Sequence, residues 1–194
     1  MPGMRNALAL LLLCVTATSA AAEPRTHDGI YARVGVGPGY ALATLFAGSA
    51  DDNSSNGADV STELAFGWAV RPGLVLGGGT FPMVVPAPDY DGMDAGGQHV
   101  SATGPFIDYY LRPTGGLHVQ GALLFTAGYL DGSSERDSHI GFGYGGMAGV
   151  GYDRYISSTW SLGALVRVTA YRLYGVDDEI RLVSPSLLFT ATYQ

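Results

Sequence analysis

The chain has 194 residues, with 17 acidic residues against 10 basic ones and a net charge of −7. All the basic residues are arginines, and the acidic balance argues against a nucleic-acid ligand, which calls for a basic patch. Charged residues make up only 14% of the chain, against about 25% in a typical soluble domain, whereas glycine is abundant. This composition favours strands that face something other than water.

The first 22 residues have the pattern of a signal peptide for export. Arg5 precedes an apolar run over 7–15, and a small-residue cleavage site precedes Glu23. The run is about nine residues long, far short of the roughly 20 that a membrane-spanning helix needs. Cys14, the only cysteine, lies within it, so the exported chain over 23–194 would have no disulfide and no metal-binding thiol.

Eight segments alternate large apolar side chains with small or polar ones, which is the period-2 pattern of a strand with two different faces. In 59–70, for example, Leu64, Phe66 and Trp68 fall on one face, and Glu63 falls on the other. No apolar stretch after the signal reaches the roughly 18 residues of a membrane-spanning helix. The predicted strands cover 29–40, 59–70, 73–83, 99–111, 117–130, 140–153, 160–172 and 180–194.

The connectors between these segments alternate in length. The long polar connectors are predicted at 41–58, 84–98, 131–139 and 173–179. The short ones are 71–73, 112–116 and 154–159. Short periplasmic turns and longer extracellular loops are typical of outer-membrane barrels with an even number of strands. The sequence therefore predicts one domain over 23–194, an all-β, eight-stranded antiparallel transmembrane up-and-down β-barrel in a bacterial outer membrane.

The two faces of the strands indicate which surroundings each one meets. A soluble barrel turns its apolar face inward, but here the bulky face lies opposite a face of Gly, Ala, Ser and Thr. The interior of an eight-stranded barrel is only just wide enough for side chains to fill, so the small face suits the inside and the bulky face suits lipid. The residues predicted to face lipid are Leu64, Phe66, Leu123, Phe125, Val166 and Val168.

With this strand count, connector order and strand-ending aromatics such as Tyr193, the segment 29–194 resembles the small OmpA/OmpX-type barrels of the outer membrane protein beta-barrel domain family. The resemblance implies an integral protein of the bacterial cell outer membrane, and we expect no enzymatic activity and no cofactor. Its partners would be outer-membrane lipid, lipopolysaccharide and the outer-membrane assembly machinery, and the protein would be a monomer.

Four charged residues fall on the small, inward-facing side of the predicted strands: Arg33, Glu63, Asp108 and Arg167. Two positive and two negative charges balance, and buried charges are costly unless they are paired. We therefore expect a lumenal charge network, with Arg33 and Glu63 on neighbouring strands as the first pair. The network is expected to act as a structural plug, and the alternative is a gate or ion path in a narrow channel.

His99 and Ser101 are two residues apart on a predicted strand, so their side chains share a face. Together with Asp131, at the end of the next strand, they would supply the Ser–His–acid set of an acyl hydrolase. The pair is similar to the His-x-Ser of lipid A deacylase barrels, but it lies mid-chain and Ala102 follows it. We expect two polar rim residues and no catalytic site, and the hydrolase is kept as the alternative.

Acidic residues crowd every predicted long loop, including Asp59 in the first, and such oxygen ligands suit Ca²⁺ or Mg²⁺. Asp89, Asp91 and Asp94 form a close group without EF-hand spacing, which predicts at most a weak cation site shared with lipopolysaccharide phosphates. The other interpretation is that the acids keep the loops solvated, with no metal. The sequence thus predicts a structural or surface-interaction role with long acidic extracellular loops.

Overall fold

The computed structural model describes residues 26–47, 53–90, 93–94, 96–130, 139–175 and 178–194. The predicted signal peptide over 1–22 lies outside the described residues, as do parts of the predicted long connectors. Among the residues that are described, no helix is long and apolar enough to cross a membrane.

Within those ranges the chain forms eleven strands in one sheet, and all of their pairings are antiparallel. The strands are β1 (Gly29–Ala47), β2 (Asn53–Arg71), β3 (Leu74–Thr80), β4 (Met83–Val85), β5 (Asp89–Tyr90), β6 (Met93–Asp94), β7 (Gln98–Tyr110), β8 (Leu117–Leu130), β9 (His139–Tyr155), β10 (Trp160–Tyr174) and β11 (Asp178–Tyr193).

Eight strand positions close this sheet into a ring. β1 pairs with β2 on one side and with β11 on the other, so the first and last strands complete the barrel. β3 and the short β4 together fill the third position, because both lie between β2 and β7. The break between them falls at Pro82, which has no N–H to donate to a ladder. This closure confirms the predicted eight-stranded antiparallel up-and-down barrel.

The two ends of the barrel differ in their connections. One end, called the short-turn end below, carries the connections 72–73, 111–116 and 156–159 and the start of β1. At the opposite, long-loop end, the β5–β6 hairpin pairs with β2 beyond β4. The predicted alternation of connector length is present only in part: the strands around 86–97 and 131–138 are far apart in sequence, whereas five residues separate β1 from β2 and three separate β10 from β11.

Several strands extend further than predicted. The expected connector over 41–58 is wrong for most of its length, because β1 continues to Ala47 and β2 begins at Asn53. Ser55, assigned to a loop from its polarity, is buried inside the barrel. Backbone pairing needs only an extended chain, so polar residues continue the ladder beyond the apolar part of a strand. Strand residues likewise replace parts of the connectors expected at 84–98 and 173–179.

Large apolar side chains project from the outer wall of the barrel. Phe125 is 76% exposed, Leu123 is 73% exposed, and all six residues predicted to face lipid are exposed on this wall. Soluble monomers rarely expose contiguous apolar patches larger than a few hundred Å². An apolar wall around the whole ring therefore requires lipid, as the sequence pattern predicts.

The interior is filled in two zones. Toward the long-loop end lies an apolar zone of buried Phe81, Met83, Val85 and Val100, and the polar side chains of Ser55 and Asp59 are buried beside it. From the middle to the short-turn end the interior carries most of its buried charges. The second zone contains the charges that the sequence analysis singled out.

Val166 tests the assignment of the outer wall to lipid. It lies six residues after Trp160 on β10, which is roughly 15 Å along the membrane normal at about 3.3 Å per residue and a tilt of about 40°. We expect Val166→Arg to lower the free energy of unfolding in lipid vesicles by about 2–4 kcal/mol, because the charge would face hydrocarbon. Leu162→Arg, nearer the short-turn end, should cost about 0–1 kcal/mol. Equal losses at both depths would contradict the assignment.

Candidate functional site

The alternation of side chains along each strand places the four predicted lumenal charges inside the barrel. Arg33 of β1 and Asp108 of β7 are fully buried, and Glu63 of β2 and Arg167 of β10 are buried almost as completely. Each of the four is flanked in sequence by residues whose side chains point outward. Since those neighbours face lipid, the alternation of a strand turns the charges inward.

Arg33 holds the cluster nearer the short-turn end. Its Nη1 lies 2.8 Å from Asp108 Oδ2, and its Nη2 lies 2.9 Å from Asp153 Oδ2. The same guanidinium donates through Nε to Thr192 Oγ1 at 3.0 Å and through Nη2 to the Tyr110 hydroxyl at 3.0 Å. One arginine thus connects β1 to β7, β9 and β11 through the inside of the barrel.

His118 completes this cluster between the two carboxylates. Its Nδ1 is 2.7 Å from Asp108 Oδ1, and its Nε2 is 3.9 Å from Asp153 Oδ1. Two tyrosines also donate to these carboxylates: Tyr31 to Asp108 at 2.9 Å and Tyr110 to Asp153 at 2.8 Å. Arg33 supplies one positive charge to the two carboxylates, and His118 lies between them.

A second cluster lies nearer the middle of the lumen. Arg167 Nη1 is 3.2 Å from Glu63 Oε2, which joins β10 to β2. Gln120 of β8 donates to the other oxygen of Glu63 at 2.8 Å, and the guanidinium of Arg167 lies 5.8 Å from the centre of the Phe81 ring. The contact with Phe81 connects this ion pair to the apolar zone on its long-loop side.

Asp59 lies inside the barrel, and its assignment to an acidic loop was wrong. The residue is 3% exposed, and its carboxylate accepts hydrogen bonds from Ser61 Oγ at 2.9 Å and Ser184 Oγ at 2.6 Å. Asp59 lies two residues before Ser61 and four before Glu63, so all three side chains share the inward face of β2. Extending the alternation toward the start of β2 would therefore have predicted that Asp59 points inward.

The ion pairs also differ from the expected ones. A pair between Arg33 and Glu63 was wrong, because Arg33 binds two aspartates and Glu63 binds Arg167. Gly35, and not Arg33, is opposite Glu63 in the ladder, so the two charges lie at different heights. Strand tilt and register decide which side chains meet inside a barrel, and proximity in sequence does not.

Sequence reasoning also missed Asp153 and His118 as members of the network. Asp153 was taken as the end of a strand, although it continues the inward parity of Gly149 and Gly151. His118 was placed on the inward face of its strand, but it was given no partner. Both residues lie near an end of a predicted strand, and the sequence analysis assigned lumenal charges only to residues further inside the strands.

His27 closes the short-turn end beneath the Arg33 cluster. Its ring stacks on Tyr110 with ring centres 3.4 Å apart, and its Nε2 donates to the carbonyl of Gly115 at 2.9 Å. Its Nδ1 contacts the side chain of Gln194 and lies 3.1 Å from the Tyr155 hydroxyl. The segment before β1 had no expected role, and no periodic pattern marks it.

His99 and Ser101 lie on the outer wall near the long-loop end of β7, and both are exposed. Within the described residues no hydrogen bond joins them, and their ladder partners on β8 are Tyr129 and Ala127. Asp131, the expected third member, lies outside the described residues. The pair shares a face as expected, but no Ser–His hydrogen bond forms there.

The predicted cation site is only partly described. Asp89 and Asp94 are opposite each other in the β5–β6 hairpin, whereas Asp91 lies outside the described residues. Among the residues that can be examined, no group of three metal-ligating side chains is present. The cation site therefore stays a prediction.

The closure by His27 should depend on pH. Burial lowers the pKa of His27 from its usual 6.5, although hydrogen bonds to Gln194 and Gly115 act in the opposite direction. As the pH falls, the unfolded chain takes up the proton first, so the stabilisation by neutral His27 is present above about pH 6.5 and is lost toward the lower pKa of the folded state.

We therefore expect the difference in unfolding free energy between the parent and His27→Gln to shrink as the pH falls from about 7.5 to about 5, because glutamine does not titrate. Chemical unfolding in lipid vesicles at several pH values measures it. A difference that stays constant across this range would show that the buried ring does not titrate with folding.

No protein-family model matches the sequence, and no curated protein matches it. Solved structures do match the fold. OprG from Pseudomonas aeruginosa has a TM-score of 0.59 and 13% identity, covering 88% of this chain and 97% of OprG. Neisserial surface protein A has a TM-score of 0.54 and 13% identity, covering 86% of this chain and 97% of that protein.

A third similar structure is Ail, the attachment invasion locus protein of Yersinia pestis, in complex with the heparin analogue sucrose octasulfate. It has a TM-score of 0.50 and 10% identity, covering 84% of this chain and 99% of Ail. Similarity at this level concerns the fold. Taken with the closed ring and the apolar outer wall, it shows that the chain has the fold of the small OmpA/OmpX-type outer-membrane barrels.

Proposed function

We propose that the protein is a non-enzymatic barrel whose lumen passes no solute, and that its role is structural or depends on contacts made by its extracellular loops. The observation that carries the proposal is the pair of ion-paired clusters inside the barrel. Arg33 joins β1 to β7 and β9, and Arg167 joins β10 to β2 at a different height. We expect side chains that cross the lumen at two heights to leave no path of the width that a hydrated ion needs.

Both ends of the lumen add to this closure. Phe81, Met83 and Val85 fill the interior toward the long-loop end, and His27 covers the short-turn end. An eight-stranded barrel has an interior that side chains just fill. These contacts favour a structural plug over a narrow channel, which is the second candidate.

We infer that acidic residues in the sequence between the strands at the long-loop end supply the contacts of the protein. With the short turns in the periplasm, the long-loop end faces the outside of the cell, and Asp51, Asp137 and Asp177 belong to its connectors. Divalent cations and lipopolysaccharide are the partners that this chemistry suits. The same fold occurs in a Neisserial surface protein and in an attachment invasion locus protein, which is consistent with a surface role for this chain.

A lipid hydrolase is the less favoured candidate. Residues i and i+2 on a strand are separated by about 6.5–7 Å of rise, and no hydrogen bond joins His99 to Ser101 among the described residues. Catalysis needs the base within hydrogen-bond reach of the nucleophile and a third group that orients the base. The pair is better explained as two polar residues at the lipid–water boundary.

Planar-bilayer recording tests the closed lumen. We expect no stepwise conductance from the purified, refolded protein, because the clusters span its interior, and a general porin inserted in the same bilayer is the positive control. Reproducible single-channel steps from the parent would contradict the plug and favour the channel.

Mass spectrometry of lipid A tests the hydrolase. We expect the acyl-chain number of lipid A to be unchanged when the protein is expressed in a strain with intact lipid A. Loss of one acyl chain that depends on both His99 and Ser101 would assign an active site to the rim. Heat-modifiable migration on a gel confirms that the barrel is folded in both experiments.

A further inference from the structure

A row of polar side chains crosses the otherwise apolar outer wall near the long-loop end. Tyr144 of β9 is the ladder partner of Arg172 of β10, which in turn is the partner of Arg181 of β11. All three point outward, and the side chains of Arg172 and Arg181 are 37% and 51% exposed. Like charges directly opposite each other destabilise a strand pair, so this juxtaposition needs compensation.

Glu179 supplies part of that compensation. One of its oxygens lies 3.1 Å from Arg172 Nε and 2.6 Å from Arg181 Nε. Arg172, Arg181 and Glu179 by themselves carry a net charge of +1. Because both contacts use Nε, a planar guanidinium can still offer its terminal N–H groups to an anion.

Aromatic side chains hold the two guanidinium groups in place. Arg172 lies beside the hydroxyls of Tyr144 and Tyr174, which are 3.2 Å from each other. The guanidinium of Arg181 lies 4.5 Å from the centre of the Phe46 ring. Positioning of this kind lowers the entropy that an arginine loses when it binds an anion.

The height of the row matches the boundary between lipid tails and head groups. Arg172 is twelve residues after Trp160 on β10, which is roughly 30 Å along the membrane normal at about 3.3 Å per residue and a tilt of about 40°. The apolar band of an outer-membrane barrel is about 25 Å tall. If Trp160 marks the inner boundary, the arginines lie just beyond the hydrocarbon of the outer leaflet.

A groove of about 360 Å³ opens on the hydrocarbon side of the same row. Gly146 and Ala170 form its floor, and Tyr144, Arg172 and Val183 border it. The small side chains leave a depression in a wall that is otherwise lined with bulky residues. The site therefore combines a cationic rim with an apolar slot that leads toward the membrane interior.

We propose that this site binds the lipid A part of lipopolysaccharide, with one phosphate on Arg172 and Arg181 and one acyl chain in the groove over Gly146 and Ala170. Charge complementarity carries the assignment, because arginines bind phosphate with paired N–H···O contacts and a phosphate would neutralise the excess positive charge. The inference needs only the outer-membrane location, and it is independent of the proposed plug.

Equilibrium binding of purified lipid A to the refolded protein in detergent, followed by native mass spectrometry, tests the site. We expect Arg172→Gln/Arg181→Gln to weaken binding by about tenfold or more, because two charge-assisted contacts are lost. The matched control is Arg71→Gln/Arg154→Gln, which removes the same charge from exposed positions at the short-turn end and should leave affinity within about twofold of the parent. Heat-modifiable migration confirms that each variant is folded.

Two further arms separate the phosphate from the acyl chain. Dephosphorylated lipid A should bind the parent as weakly as lipid A binds the double variant, and Ala170→Leu should weaken lipid A binding by filling the groove. If the double variant fails to fold, Arg181→Gln alone serves, since this side chain is half exposed. Equal affinity of the folded arginine variant and the parent, or equal affinity of the parent for both lipids, would overturn the proposal.

Discussion

A buried arginine inside a membrane barrel must have its charge compensated, and the lumen is organised around that requirement. Arg33 meets it with Asp108 and Asp153, which approach from opposite directions around the ring. Glycine provides the space, because a Cβ on Gly163 would collide with the Asp153 carboxylate and one on Gly151 would collide with the His118 ring. Small inward residues and buried charges are thus two parts of one packing arrangement.

The alternation of side chains was enough to predict the strand number, the two faces and the inward position of residues such as Arg33 and Arg167. Pairing inside the lumen could not be predicted, because it depends on tilt and register that no local pattern encodes. Asp59 was misplaced since polarity was taken as the end of a strand, although hydrogen bonding continues through polar residues. His27 carries no periodic signal, and only the folded barrel brings it under Tyr110.

The chemistry of the protein is divided between its inside and its outside. Inside, oppositely charged groups satisfy each other across the barrel, and this favours a stable, closed scaffold over a conduit. On the outside, the wall is largely apolar. The row that contains Arg172 and Arg181 differs from it, because two positive charges face outward there. In such a scaffold, the loops and the lipid-facing surface would determine which partners the protein binds.

A double-mutant cycle between Glu63 and Arg167 tests most directly whether ion pairs hold the lumen together. Each single change to alanine should lower the free energy of unfolding in lipid by about 3–5 kcal/mol, because it leaves the partner buried and unpaired. Removing both should cost less than the sum, by about 0.5–3 kcal/mol. A control cycle between Glu63 and the exposed Arg154 should be additive. Additive losses for Glu63 and Arg167 would contradict the account, because neither charge would then depend on the other.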